Sequence, residues 1–214
     1  MRLRALPVAK WRQRGFLLNP FRFAAAGVTY ATWDAATQSG NFTLTNGNLT
    51  SQLSSAVGAW RSIRATVGLT TGKWYWEIHS DSGALNEQIF GAGRSTLSQT
   101  SFVGSGTNDW GWQASGVGPL KWNNSGSTSF GVNIGNGDVL QFALNMTTGK
   151  IWIGKNNTFS GDPVAGTGEM FSGLGGTVYP ALGYFTNGRV TTANFGATPM
   201  AYTAPSGYNQ GVYL

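Results

Sequence analysis

Cysteine is absent from the 214 residues, and histidine occurs once, as His79. The first absence excludes disulfides, thiolate nucleophiles and cysteine-based metal sites; the second excludes multi-histidine metal centres and histidine relays. Charge is scarce as well, since Asp, Glu, Lys and Arg make up 10% of the chain, against roughly 25% in an average soluble domain. No apolar run approaches the roughly 18 residues that identify a membrane-spanning helix. Phosphate-binding glycine loops, calcium-loop spacings and the G-x-S-x-G nucleophile turn are also missing. The carboxylates are scattered: Asp81 and Glu87 flank a loop, Asp109, Asp138 and Asp162 occupy turn sequences, and Glu169 lies in a glycine-rich stretch. Only Glu77 sits in mid-strand, so the paired carboxylates of glycoside hydrolysis are not formed. No catalytic residue, metal ligand or cofactor is expected.

What is present is glycine, 32 residues of it and about twice the usual share, together with 13% aromatics. After residue 26 no apolar period of 3.6 persists. Short alternating runs such as VTYATW (28–33), FTLTN (42–46), WRSIRATVG (60–68), KWYWEIHS (73–80), QIFGAGR (88–94), SFVG (101–104), DWGWQA (109–114) and SFGVNI (129–134) recur instead. They continue through DVLQFALNM (138–146), KIWIGK (150–155), VYPALGYF (178–185) and RVTTANFG (189–196), with Asn-Gly, Thr-Gly and Ser-Gly units between runs. Those units supply the positive φ angles of tight hairpins. The pattern predicts an all-β fold, a two-sheet antiparallel β-sandwich with an N-terminal basic extension.

The two-residue period of a strand sends Trp74, Trp76 and Ile78 to one side of KWYWEIHS and Tyr75, Glu77 and His79 to the other. The first set reads as core, with Trp112 and Trp152 as further core tryptophans; the second reads as a polar outer face. On that reading Glu77→Gln changes stability by about 1 kcal/mol or less, whereas Trp76→Ala costs roughly 3–5 kcal/mol. Phe102, Trp110, Trp112, Trp122, Tyr184 and Phe185 lie in or beside loops, where aromatics can form a recognition patch.

The net charge of +6 is confined to one end. Residues 1–26 hold Arg2, Arg4, Lys10, Arg12, Arg14 and Arg22 without an acid, while residues 27–214 balance eight cations against eight acids. Trp11, Phe16, Leu17, Leu18, Phe21 and Phe23 interleave with those charges. The segment reads as a basic-aromatic anchoring arm and not as a signal peptide, because Asn19, Pro20 and Arg22 interrupt its apolar run.

The order of motifs resembles that of the SPRY domain, the B30.2-like β-sandwich module. VTYATWD, LTNGNLT, WRSIRATVG with TTGKWYWEIHS, FGAGRS, SFVGSGTNDWGWQASG, GNGDVLQFALNMTTGKIWIGKNN, YPALGYF and VTTANFG run in family order over about residues 28–208. In style they are closest to versions in tailed-bacteriophage structural proteins. Lys155-Asn156-Asn157 stands where the family usually has Lys-Asn-Gly, a modest departure because Asn tolerates the left-handed region. The resemblance implies a lectin-like binding module without catalytic residues, with ligand contacts at Arg64, Phe102, Tyr184, Phe185 and Thr186. The expectation is a non-enzymatic accessory protein of a phage particle, made in the host cytoplasm. Residues 1–26 would anchor it to capsid or tail proteins, and residues 27–214 would be displayed. Alternatives are a module recognising host-surface glycans or peptides, and contact of the basic arm with nucleic acid; the neutral body offers no matching basic face for the latter.

Overall fold

The structure is a computed structural model that describes residues 27–54, 58–83, 87–114 and 118–214. The anchoring arm expected at residues 1–26 lies outside the described residues. Two sheets face each other. The first runs, in spatial order, β1 (Phe42–Thr45), β2 (Thr50–Leu53), β13 (Val190–Asn194), β4 (Lys73–Ser82), β9 (Val139–Asn145), β10 (Lys150–Lys155) and β11 (Thr158–Phe159). A short β14 (Asn209–Gln210) lies parallel to β4, the one parallel pairing among antiparallel ones. The second sheet runs β3 (Arg61–Arg64), β12 (Tyr179–Tyr184), β5 (Gln88–Gly93), β6 (Asp109–Gln113), β7 (Leu120–Asn123) and β8 (Gly126–Ser129). The only described helix is one 3₁₀ turn, Ala35–Thr37, capped by the Asp34 side chain, which accepts the Ala36 amide. The expected all-β sandwich is therefore the observed fold.

The inner faces carry the core. Trp76 stacks on Phe142 with ring centroids 5.1 Å apart and planes 7° from parallel. Ile78, Leu140, Leu144, Ile151 and Ile153 extend that layer, and Ile63, Phe90, Trp112 and Leu182 meet it from the second sheet. Trp74 has the inner-face parity but is only half-buried near the strand end, where its indole N–H donates to the Thr71 carbonyl at 2.6 Å. The β9–β10 hairpin forms as its alternation requires, and Leu140, Phe142 and Leu144 are all buried. Asn156 and Asn157 adopt φ of 47° and 69°, so asparagine fills the left-handed turn positions that glycine would otherwise take.

Three expectations fail for one reason, the weight of tertiary context over local pattern. SFVG and SFGVNI contain no strand beyond Ser129; Phe102 and Val103 belong instead to a loop laid across the second sheet. The β7–β8 hairpin was not signalled, because LKWN and the exposed GSTS lack alternating β-branched residues; its turn is set by Asn124 and Ser125 at φ 52° and 59°.

The third failure concerns Tyr75 and Glu77, which do point away from the inter-sheet core but are fully buried. The C-terminal segment crosses this outer face as a strap. The Glu77 carboxylate accepts the amides of Ala201 and Tyr202, both at 2.8 Å, and the Tyr75 hydroxyl at 2.6 Å. Gln141 donates to the same hydroxyl at 2.8 Å and accepts the Asn157 amide at 2.6 Å. Trp152, correctly expected to be buried, lies under the strap and not between the sheets, packed with Tyr75, Ala143 and Tyr208. His79 is half-buried on the same face.

The small effect expected for Glu77→Gln is thus corrected. Glutamine turns an N–H₂ toward groups that are already donors, and hydrogen bonds to a buried charged group are each worth about 1.5–3 kcal/mol. Chemical denaturation should show Glu77→Gln less stable by about 2–3 kcal/mol; an unchanged midpoint would refute the strap's anchoring. Burial holds Tyr75 and Tyr184 above the ordinary tyrosine range, and burial with the Asp162 charge pushes Tyr208 up to about 12. A raised pKa favours the protonated fold, so these contributions are intact below about pH 10 and fade as pH rises toward the folded values. Alkaline unfolding followed by tyrosinate absorbance should begin above that point and shift upward in Tyr208→Phe.

Candidate ligand-binding edge

The outer face of the second sheet is built to receive a loop. Gly91, Gly93, Gly111 and Gly183 share it with Ile89 and Ala181, leaving a shallow floor. Residues 97–106 lie on that floor, and a Cβ at Gly111 would stand 2.0 Å from the Val103 carbonyl oxygen. The loop is held on both flanks. On one, the Ser62 hydroxyl donates to the Ser101 carbonyl at 2.7 Å and the Ser62 amide to the Gln99 carbonyl at 3.1 Å. On the other, the amides of Asn124 and Ser125 donate to the carbonyls of Gly106 and Gly104, both at 3.0 Å, and the Ser125 hydroxyl donates to Ser105. From within, the Asp109 carboxylate accepts the Gly104 amide at 2.6 Å.

This frame sets a row of aromatic rings. Trp60 lies 5.5 Å from Phe185 and 5.8 Å from Phe102, and Phe102 lies 5.3 Å from Trp122, all centroid to centroid. The four rings are half-buried, and Trp60, Phe102 and Trp122 pack against Ile89, Leu97, Val103 and Ala181. Beyond Phe185, Glu87 accepts hydrogen bonds from the Thr186 hydroxyl and the Arg189 guanidinium. Trp122 ends the row with an indole N–H that has no acceptor.

Of the residues expected to contact a ligand, Phe102, Phe185 and Thr186 are brought together here. Arg64 projects from the same face of β3 two residues after Ser62, but its guanidinium stacks 4.2 Å over Tyr179 and lies 3.6 Å from Asp34. Tyr184 is a correction: it is fully buried between the sheets, 5.6 Å from the Phe42 ring, with its hydroxyl bonded to Ser51 and Thr191. The parity of β12 explains this, because Tyr184 shares the inward side of Leu182 while Ala181 and Gly183 face outward. Trp110 and Trp112, also loop-flanking in the sequence, are buried core. Trp60 was missed; its position just ahead of the polar RSIR strand was the only signal for it.

The arrangement can grip apolar side chains and shows no nucleophile or acid–base pair aimed at a common point. Glu77 is sealed under the strap, Asp81 accepts from Thr192, and Glu87 holds Thr186 and Arg189. Among the described residues no group of three metal-ligating side chains comes together, and no helix is long and apolar enough to cross a membrane.

Comparison with known proteins agrees with this architecture. The family profile of the SPRY domain matches residues 73–198, more than half of the chain. The chain belongs to the SPRY domain family, whose members are generally protein-interaction modules and typically non-catalytic. Among solved structures it is similar to the SPRY domain of human HERC1, at 16% identity and TM-score 0.63, over 78% of this chain and 99% of that one. It is also similar to the TRIM65 PSpry domain, at 15% identity and TM-score 0.61, over 78% and 92%. A human SPRY domain aligns at 16% identity and TM-score 0.58, over 74% and 98%. No curated protein matches the sequence. These comparisons carry the family and give no support to its bacteriophage style.

If the glycine floor positions the row, Gly111→Ala should lift the 97–106 loop. The expected signature is global unfolding that is unchanged or faster, with faster amide exchange at Gly104, whose N–H the Asp109 carboxylate holds; unchanged exchange there would show that the close approach is not limiting.

Proposed function

We propose that this SPRY domain is a non-enzymatic binding module whose ligand seat is the row Trp60, Phe102, Trp122 and Phe185. The observation that carries the reading is the pinned loop. A row of half-buried rings fixed from both flanks can bind side chains with little further loss of freedom, and rigid aromatics are the residues that dominate protein interfaces. The ligand class we propose is an extended segment of a partner protein. Residues 1–26 would serve as the attachment arm, supported by the confinement of the +6 charge and six large apolar residues to that segment. The setting we propose for it is a virus particle, with capsid or tail proteins as the anchoring partners.

The experiment is selection of peptides from a random display library on the purified chain, followed by affinity measurement on single variants. Trp60→Ala and Phe102→Ala should each weaken the selected peptides by about tenfold or more, the effect of losing an interface residue worth over 1 kcal/mol, with the thermal midpoint displaced by only a few degrees. Peptides that bind these variants undiminished would place the ligand seat elsewhere. Tyr184→Ala is the contrasting control: as a core truncation it should lower stability by roughly 3 kcal/mol or more.

A further inference from the structure

The second sheet ends differently on its two sides. At β3 the outward backbone groups are taken up by the chain itself: the Ser62 amide donates to the Gln99 carbonyl at 3.1 Å, and the Arg64 carbonyl accepts the Asp34 amide at 2.9 Å. At β8 no described segment covers the edge. The Phe130 amide donates to the Pro119 carbonyl at 3.0 Å, and an antiparallel ladder bonds alternate residues, so Thr128 and Gly126 face β7 opposite Lys121 and Asn123. Ser127 and Ser129 therefore turn their backbone N–H and C=O outward, where no described residue pairs with them. All four residues of the strand are exposed. Natural sheet edges are shielded by lysine, proline, bulges or a covering segment; Gly126–Ser129 contains no such residue, and no charged residue lies between Lys121 and Asp138.

We infer that β8 is a self-association edge, paired antiparallel with β8 of a second copy of the chain across a twofold axis through Thr128. The sequence of the strand selects that occupant. Ser127-Thr128-Ser129 reads the same in both directions, so the twofold sets Ser127 opposite the partner's Ser129 and Thr128 opposite the partner's Thr128. The serines exchange the N–H···O=C bonds that each edge leaves open, and threonine across from threonine is a favourable cross-strand pair. Lys121, the charge nearest to Thr128 on the neighbouring strand, is committed to the Met170 carbonyl at 2.9 Å. A strand of another sequence would satisfy the backbone but not this symmetry. The axis stands perpendicular to the sheet, so the two six-stranded sheets join into one and their outer faces look the same way. Each copy then presents its row ending at Trp122 on the same side, a bivalent surface. The pairing itself rests on the edge and not on the ligand seat proposed above. A short edge buries far less than a standard interface, so the dimer depends on concentration.

The chain contains no cysteine, which makes a single introduced thiol a probe of register. Thr128→Cys places two thiols on the axis, in a pair that exchanges no backbone bonds and has Cα atoms about 4.5 Å apart, inside the roughly 4.4–6.8 Å that a disulfide spans. Ser129→Cys, also exposed, leaves its Cα roughly 8–9 Å from its copy by strand rise and spacing, beyond that reach. With oxidised glutathione as the oxidant and intact mass as the readout, the linked dimer should form about tenfold or more faster in Thr128→Cys, because pairing raises the effective concentration of one thiol beside the other. Equal rates, or faster linking of Ser129→Cys, overturn the inference. In the unmodified chain, sedimentation equilibrium over a concentration series should show dimer. Thr128→Lys sets like charges directly opposite each other on the axis and should return the monomer with an unchanged circular dichroism spectrum. A chain that is monomeric throughout the series overturns the inference, as does a dimer that survives Thr128→Lys, which would place the contact on another surface.

Discussion

The carboxylate of Glu77 is the point on which the outer half of this domain depends. A sandwich ordinarily leaves the outer faces of its sheets to water, and charged side chains keep those faces soluble. With 10% charged residues this chain has few to spend there. It covers the face of β4, β9 and β10 with its own C-terminal strap, from which Met200, Ala204 and Tyr208 pack on the Tyr75, Ala143 and Trp152 cluster. Two backbone amides converging on one buried carboxylate supply the attachment; the Tyr75 hydroxyl donates a third bond to it and in turn accepts one from Gln141. A buried charge is tolerable only when satisfied in this way.

The second sheet meets the same constraint by different means. Its cover is a loop laid on glycines, and the attachment is steric fit plus backbone hydrogen bonds from both sides. The difference has a functional consequence. Side chains on a strap held by a central carboxylate are drawn down onto the sheet, as Tyr208 is against Trp152 and Tyr75. A loop lying on a bare floor has no room beneath it for large side chains. Phe102 therefore turns to the rim, where it meets Trp60 and Trp122.

How much of this was legible in the sequence follows from the range of each interaction. Strand alternation and turn chemistry are local, so the sandwich, the β9–β10 hairpin and the inward Trp76 and Phe142 could be read directly. The ordered motifs that resemble a SPRY domain singled out Phe102, Phe185 and Thr186, which lie at one edge of the second sheet, with Phe102 and Phe185 both against Trp60. What failed was non-local. Nothing in KWYWEIHS states that residues 201 and 202, more than 120 positions later, will bury Glu77. The assignment of Tyr184 failed on parity: the tyrosine and the phenylalanine that follows it point to opposite sides, and only the register with β3 and β5 fixes which side is core. Trp60 escaped notice because its importance lies in three rings drawn from distant segments.

The glycine excess gains a meaning beyond turns. In FGAG and DWGW, glycines alternate with Phe90, Ala92, Trp110 and Trp112, so these stretches present bulk to the core and little apolar bulk to the loop above them. The same two-residue period that fills the core thus empties the outer floor. Core packing and loop support are written into alternate positions of the same strands. Rim residues such as Trp60, Phe102 and Phe185 are one step further removed, since they pack on the floor and on one another and not between the sheets. Such separation lets the rim side chains change while Trp76, Phe142 and their neighbours continue to specify the sandwich.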